Sequence, residues 1–183
     1  MKILIIGEFG SEAEKVAEFL SSEYSAKVAK FSSTQTYPSN HVCEYIERSF
    51  DDDASYCIKY LPVEEAERSD VVLVPNPQTL FQILCNAKDE EFIVYYIKCS
   101  SIARQIASGL TRGYKLMESM YLALEHKQQY RWFISEAFRD DWLSGTSCVR
   151  AYAEIESTYV KDWYKDVAST IHSVYVHAIN CKQ

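Results

Sequence analysis

The sequence has no cluster of basic residues: its 19 Lys and Arg are spread among 26 Asp and Glu, for a formal charge of −7. That excludes a general affinity for nucleic acid, because contacts to a phosphate backbone need clustered cations. The six cysteines, Cys43, Cys57, Cys85, Cys99, Cys148 and Cys181, show no C-x-x-C spacing and no histidine at a metal-ligand interval. A zinc site and a compact disulfide framework are thereby excluded, and reduced, mostly buried thiols are expected. His41, His126, His172 and His177 have no spacing of the H-E-x-x-H kind, so no metal is expected. Apolar runs are short. The first stops at Gly7, which is too soon for a signal-peptide h-region, and none approaches the roughly 20 residues that span a bilayer. Nor is there an internal repeat, a linker or a low-complexity tract. These absences predict a cytoplasmic protein with neither nucleic acid nor membrane as a partner. What the sequence does have is 183 residues, 48% of them apolar and 14% aromatic, enough for one domain over residues 1–183 with a sizeable core.

Strand and helix signals alternate along the first two thirds. Residues 2 to 6 read as a strand buried on both faces, and Ala13, Val16, Ala17 and Leu20 follow at i, i+3, i+4 and i+7 of a helix. "VAKFSSTQTYPSN" starts as a short strand and becomes a polar loop, and "SFDDDASYCIKYL" places an acidic turn before an alternating strand, Ser55 to Tyr60. "RSDVVLVPNPQTLFQIL" gives a buried strand, a proline-bounded turn and a helix. "EEFIVYYIKCSSIARQIASGL" repeats this, with a strand at Ile93 to Ile97 and a helix capped by Ser100 or Ser101. Such alternation predicts an α/β fold of three layers, a mainly parallel sheet with helices on both faces. Further on, Leu116, Met117, Met120, Tyr121 and Leu124 form one helical stripe, "YRWFI" reads as a short final strand, and "LSGTS" at residues 143–147 as a loop. Tyr152, Ile155, Tyr159, Trp163, Val167, Ile171, Val174 and Ala178 then predict a long C-terminal helix over roughly residues 151–178, with Tyr152, Tyr159 and Trp163 as its aromatic stripe.

The stretch most relevant to function is "GEFGSEAEK". A glycine loop between a buried strand and a helix is the setting of a phosphate-binding loop, G-x-x-x-x-G-K-[ST]. Gly7, Glu8, Phe9, Gly10 and Ser11 keep its backbone form, but counting from Gly7 the second glycine becomes Glu12, the lysine Ala13 and the hydroxyl residue Glu14. Glu12 and Glu14 set negative charge where phosphates would sit. Ser11-Glu12-Ala13-Glu14 also reads as a capping box, in which Ser11 and Glu14 satisfy the first amides of the helix themselves. Lys15 stands two residues beyond the usual lysine. The acidic run Asp51, Asp52 and Asp53 is a solvated turn on the same reasoning.

In its order of parts the chain resembles a nucleoside monophosphate kinase, and most of all the guanylate kinase group, over about residues 1 to 135. "SSTQTYPS" is similar to that family's T-T-R-P substrate loop, with Thr34, Thr36 and Pro38 in place and Tyr37 where arginine is expected. "IVYYIKCSSIARQIASGLTRG" resembles its strand and lid helix ending R-x-x-x-R-G, with Arg112 and Gly113 matched and Ser108 at the earlier arginine. The resemblance implies a substrate segment at Ser33, Thr34, Thr36 and Tyr37. In a working enzyme it implies ATP and magnesium as cofactors, with Lys15, Arg104 and Arg112 supplying charge from altered positions. Phosphoryl transfer depends on positioning and charge stabilisation, and the loss of one such contact costs about 10²- to 10³-fold. Ala13, Tyr37 and Ser108 are three non-basic positions at once.

The leading expectation is therefore a monophosphate-kinase-like domain with a degenerate loop, acting as a nucleotide-binding or protein-interaction module. A protein partner or a second copy would meet it through the C-terminal helix. One rival is an active guanylate-like kinase with a rearranged loop. Another is a flavodoxin-like domain that has no phosphate site, since β-α alternation is common to many folds.

Overall fold

The structure is a computed structural model that describes residues 1–33, 40–48, 56–86, 90–139 and 148–181. Thr34, Thr36, Tyr37 and Pro38, the acidic run 51–53 and the loop 143–147 lie outside the described residues. The elements in chain order are β1 (Lys2–Gly7), α1 (Ala13–Tyr24), β2 (Val28–Ala29), β3 (Ser32–Ser33), β4 (His41–Arg48), β5 (Tyr56–Pro62), α2 (Val63–Arg68), β6 (Val71–Val74), α3 (Pro77–Asn86), β7 (Phe92–Lys98), α4 (Ile102–Thr111), α5 (Leu116–Arg139), β8 (Val149–Glu156) and α6 (Trp163–Asn180). β2, β6, β1, β7 and β8 form, in that order, a five-stranded sheet in which every described pairing is parallel.

β1 is central, and its alternate side chains serve two cores, as a doubly covered parallel strand requires. Leu4 and Ile6 look toward α3, α5 and the small second sheet, where they meet Leu80, Ile83, Leu84, Tyr130, Ile134 and Leu61. Ile3 and Ile5 look toward α1 and α6, where they meet Val16, Leu20, Trp163, Ala168 and Ile171. Each fully buried aliphatic of this kind gives roughly 1.5–3 kcal/mol. The three-layer α/β architecture with a long C-terminal helix is the one expected from the sequence, and Ala13, Val16, Ala17 and Leu20 are the buried face of α1. Numbered by their order along the chain, the five strands lie as 2-3-1-4-5. The flavodoxin order is 2-1-3-4-5, so the flavodoxin-like alternative is set aside.

Several expectations are corrected. Residues 149–156 form a strand parallel to β7, so the C-terminal helix begins only at Trp163. Tyr152, Ile155 and Tyr159 fit helical spacing by coincidence. The segment "VRAYAEIE" alternates with period two, sending Tyr152 to one core and Ala153 and Ile155 to the other. Of the expected aromatic stripe only Trp163 belongs to the helix, buried at 6% exposure, while Tyr159 is 76% exposed in the connection before it. "YRWFI" is helical, inside α5, where Tyr130 and Ile134 one turn apart reach the core. The stripe Leu116, Met117, Met120, Tyr121 and Leu124 lies on the exposed side of α5, because the other side, through Ser119, packs on Gly109 of α4. A Cβ on Gly109 would sit 2.8 Å from Ser119 Cβ, so the two helices approach as closely as glycine permits. All six thiols are free, but only Cys43 and Cys99 are buried. An unforeseen element is a three-stranded antiparallel sheet, β3-β5-β4, that stands beside the C-terminal ends of β1 and β6.

Candidate functional site

The loop after β1 leaves the sheet at its C-terminal edge, where ligands bind in open parallel sheets. Its first residue is an anchor. Glu8 N–H donates to Ile97 O at 2.9 Å. The Glu8 carboxylate, only 2% exposed, accepts from Tyr96 OH at 2.5 Å, Cys99 N–H at 2.6 Å and Arg131 Nε at 3.0 Å. It ties the loop to β7 and to α5. Burial first, and then its bond to Glu8, push the Tyr96 phenol well above its ordinary range. Gly10 has φ +76°, and a Cβ there would meet Gln105 Cα at 3.0 Å and Arg104 O at 3.1 Å, so the loop lies directly on α4.

Helix α1 starts without the expected capping box. Its N-cap is Glu12, in the left-handed region at φ 60°, and no side chain caps the helix. Ser11 is 1% exposed, yet its Oγ has no hydrogen-bond partner among the described residues, and Glu14 turns to Arg112 instead. Ser11 faces inward because Gly7 makes room for it: a Cβ on Gly7 would lie 2.4 Å from Ser11 Oγ. A buried hydroxyl without a partner costs stability rather than adding it. Ser11→Ala is therefore expected to leave the stability unchanged or raise it by up to about 1 kcal/mol, where a cap would have lost about 1. A urea titration separates the two signs. The α4 cap is as expected, with Ser101 Oγ accepting from Arg104 N–H at 3.3 Å.

The three candidate catalytic cations do not converge. Residues 12 and 15 share one side of α1, as i and i+3 must, and residue 14 is on another. On the first side the Glu12 carboxylate meets Lys15 Nζ at 2.7 Å, Arg104 Nη2 at 3.2 Å and Trp163 Nε1 at 3.3 Å. Partial burial works against ionisation of Glu12, but these donors outweigh it and hold its carboxyl below the usual range. Arg104 also donates to Ser157 Oγ at 3.2 Å and Thr158 O at 3.1 Å, and its guanidinium lies 5.2 Å from the Tyr159 ring centre. Tyr159 OH meets Ser101 Oγ. Lys15 and Arg104 thus border a groove of about 340 Å³ beside the start of α6.

Arg112 and Glu14 face the other way, into a cleft of about 1220 Å³ at the end of β1. Arg112 Nη2 lies 3.2 Å from Glu14 Oε1, with its guanidinium 5.0 Å from the centre of the Phe9 ring. Phe9 in turn stacks on Tyr114, 6.3 Å away and tilted by 30°. Gly7, Ser11 and Ala13 border the cleft on the loop side, and residues 73–76, at the end of β6 and just beyond it, continue that edge. The small sheet contributes Tyr45, Ile46 and Lys59, with Phe31 edge-on to Tyr45 at 5.2 Å, and α5 contributes Met117 and Tyr121. Of the expected substrate segment, Ser33 lies on β3, paired with Lys59 of β5. Among the described residues there is no group of three His, Cys, Asp or Glu side chains that could hold a metal, and no helix long and apolar enough to cross a membrane.

Sequence reasoning missed Tyr45, Lys59 and Tyr114 as cleft residues, and Arg131 as the partner of Glu8. Arg131 is 123 positions from Glu8 and carries no motif. Tyr45 and Lys59 enter through a sheet that was not foreseen.

No family model matches the chain, and no curated protein matches it. Among solved structures it is similar to a guanylate kinase from Anaplasma phagocytophilum, at 10% identity over 97% of this chain and 85% of that one, with a TM-score of 0.47. It is similar also to an uncharacterized protein from Eubacterium ventriosum, at 13% identity over 96% of this chain and 98% of that one, with a TM-score of 0.45. At such scores neither likeness bears on what this chain does.

Proposed function

We propose that this protein is a P-loop-kinase-like domain that binds a nucleoside monophosphate in the cleft at the end of β1 and does not transfer phosphate. The observation that carries this reading is the placement of Lys15 and Arg104, held by Glu12 in the smaller groove and away from the cleft. Phosphoryl transfer needs cations on the moving phosphoryl group, and a cation engaged elsewhere supplies nothing to the transition state. Binding asks for less. The aromatic rings of Phe31, Tyr45, Tyr114 and Tyr121 border the cleft and offer faces to a base, each stacking contact worth about 1–3 kcal/mol. The α1 N-terminus and Arg112 offer positive potential to a single phosphate.

Calorimetric titration with AMP, GMP, CMP, UMP and the matching triphosphates, with and without magnesium, tests the proposal. At least one monophosphate is expected to bind independently of magnesium, with triphosphates weaker. Tyr45→Ala is expected to weaken that binding about tenfold through the lost ring, whereas Lys15→Ala leaves it unchanged. Magnesium-dependent triphosphate binding that Lys15→Ala removes would favour the active-kinase reading instead.

A further inference from the structure

Within the cleft, Glu14 is the acidic side chain that engages Arg112. The two charges are bound side by side on the first turn of α1 and the residue that follows α4, each about half exposed, at 52% and 50%. Arg112 is fixed further by the Phe9 face, and Phe9 by Tyr114, so the turn between α4 and α5 is drawn down over the loop. Beside this pair lie the α1 N-terminus, without a side-chain cap, and Ser11, whose buried hydroxyl has no partner among the described residues. The favourable elements of an anion site, a guanidinium, a helix N-terminus and a spare hydroxyl, therefore adjoin one carboxylate already in contact with the guanidinium.

Resting on the nucleotide reading above, we infer that Glu14 is the specificity-determining residue of the cleft, an internal anion that occupies Arg112 and limits the ligand to one phosphate. A single phosphate displaces the carboxylate from the guanidinium, with which it can form the stronger paired hydrogen bonds. Each further phosphate brings another negative charge near the same carboxylate, whose ion pair among the described residues is with Arg112. Discrimination against di- and triphosphates follows from repulsion, a specificity device of the kind that works by excluding the wrong partner. The ion pair itself is exposed and contributes little to stability, so Glu14 can be changed without loss of the fold.

The test is calorimetry at low salt on the full chain, as wild type, Glu14→Gln and Glu14→Gln/Arg112→Ala, with Glu14→Ser as a second replacement. The probes are AMP, ATP and inorganic tripolyphosphate. Loss of the carboxylate is expected to raise affinity about tenfold for AMP and about a hundredfold for ATP and tripolyphosphate, and Arg112→Ala is expected to cancel the gain. A gain below about twofold, a gain that does not grow with probe charge, or one that survives Arg112→Ala overturns the inference. The two proposals fail separately. If AMP binds the wild type but tripolyphosphate gains nothing in Glu14→Gln, the role of Glu14 falls and the nucleotide reading stands. If tripolyphosphate binds Glu14→Gln through Arg112 while no nucleotide binds any variant better than tripolyphosphate does, the role of Glu14 stands and the nucleotide reading falls.

Discussion

Glu8→Ala is expected to cost about 3–5 kcal/mol of stability, the range for removing one partner of a buried ion pair. Its carboxylate satisfies three donors at once: Tyr96 OH, Cys99 N–H and Arg131 Nε. With alanine the phenol and the amide lose their acceptor in a buried place, and the guanidinium loses its counter-charge, although Arg131 keeps some access to water at 39% exposure. A domain of this size has about 5–15 kcal/mol in all, so the variant sits near the edge of folding. Glu8→Gln retains one acceptor oxygen and is expected to lose less. Urea denaturation followed by circular dichroism measures both. A Glu8→Ala variant within 1 kcal/mol of the wild type would mean that the loop is anchored by something other than this carboxylate.

Gly10→Val is expected to cost about 2–4 kcal/mol, again by urea denaturation, from strain and collision together. A left-handed φ of +76° is poor for any side chain and worst for a β-branched one. The atoms a Cβ would meet are backbone atoms of residues 104 and 105, which cannot rotate away. Gly113 provides the control, since its φ is +91° but nothing lies within 4 Å of the Cβ position. Gly113→Ala should therefore show the strain without the collision, about 1–2 kcal/mol. Equal losses at the two glycines would contradict the close seating of the loop on α4.

These two residues also show how far the sequence could be read. Gly10 was legible as a turn residue, because the loop must reverse direction between a buried strand and a helix. Its packing on residue 105 was not legible, because no local pattern announces a contact made 95 positions away in the chain. Strand β1 and helix α1 declared themselves through unbroken apolar character and 3.6-residue spacing. Strand β8 was misread because Tyr152, Ile155 and Tyr159 fit helical spacing while residues 149–156 also alternate with period two, and only the pairing with β7 decides between the two. Ser11 and Glu14 matched a capping box residue for residue, yet Arg112 holds the glutamate and Gly7 admits the serine inward. Tertiary partners overrode the local motif. The same limit applies to Lys15, whose nearness in sequence to the loop suggested a role at a phosphate, whereas its side chain is tied to Glu12 in the smaller groove.

The most direct test is a phosphoryl-transfer assay on the purified wild-type chain, with ATP, magnesium and each of the four common nucleoside monophosphates in turn, followed by separation of the nucleotides. The account predicts no diphosphate product above that of a heat-inactivated control, in samples where calorimetry has shown a monophosphate to be bound. Transfer by the wild type that Lys15→Ala abolishes, with the circular dichroism spectrum and denaturation midpoint unchanged, would contradict it.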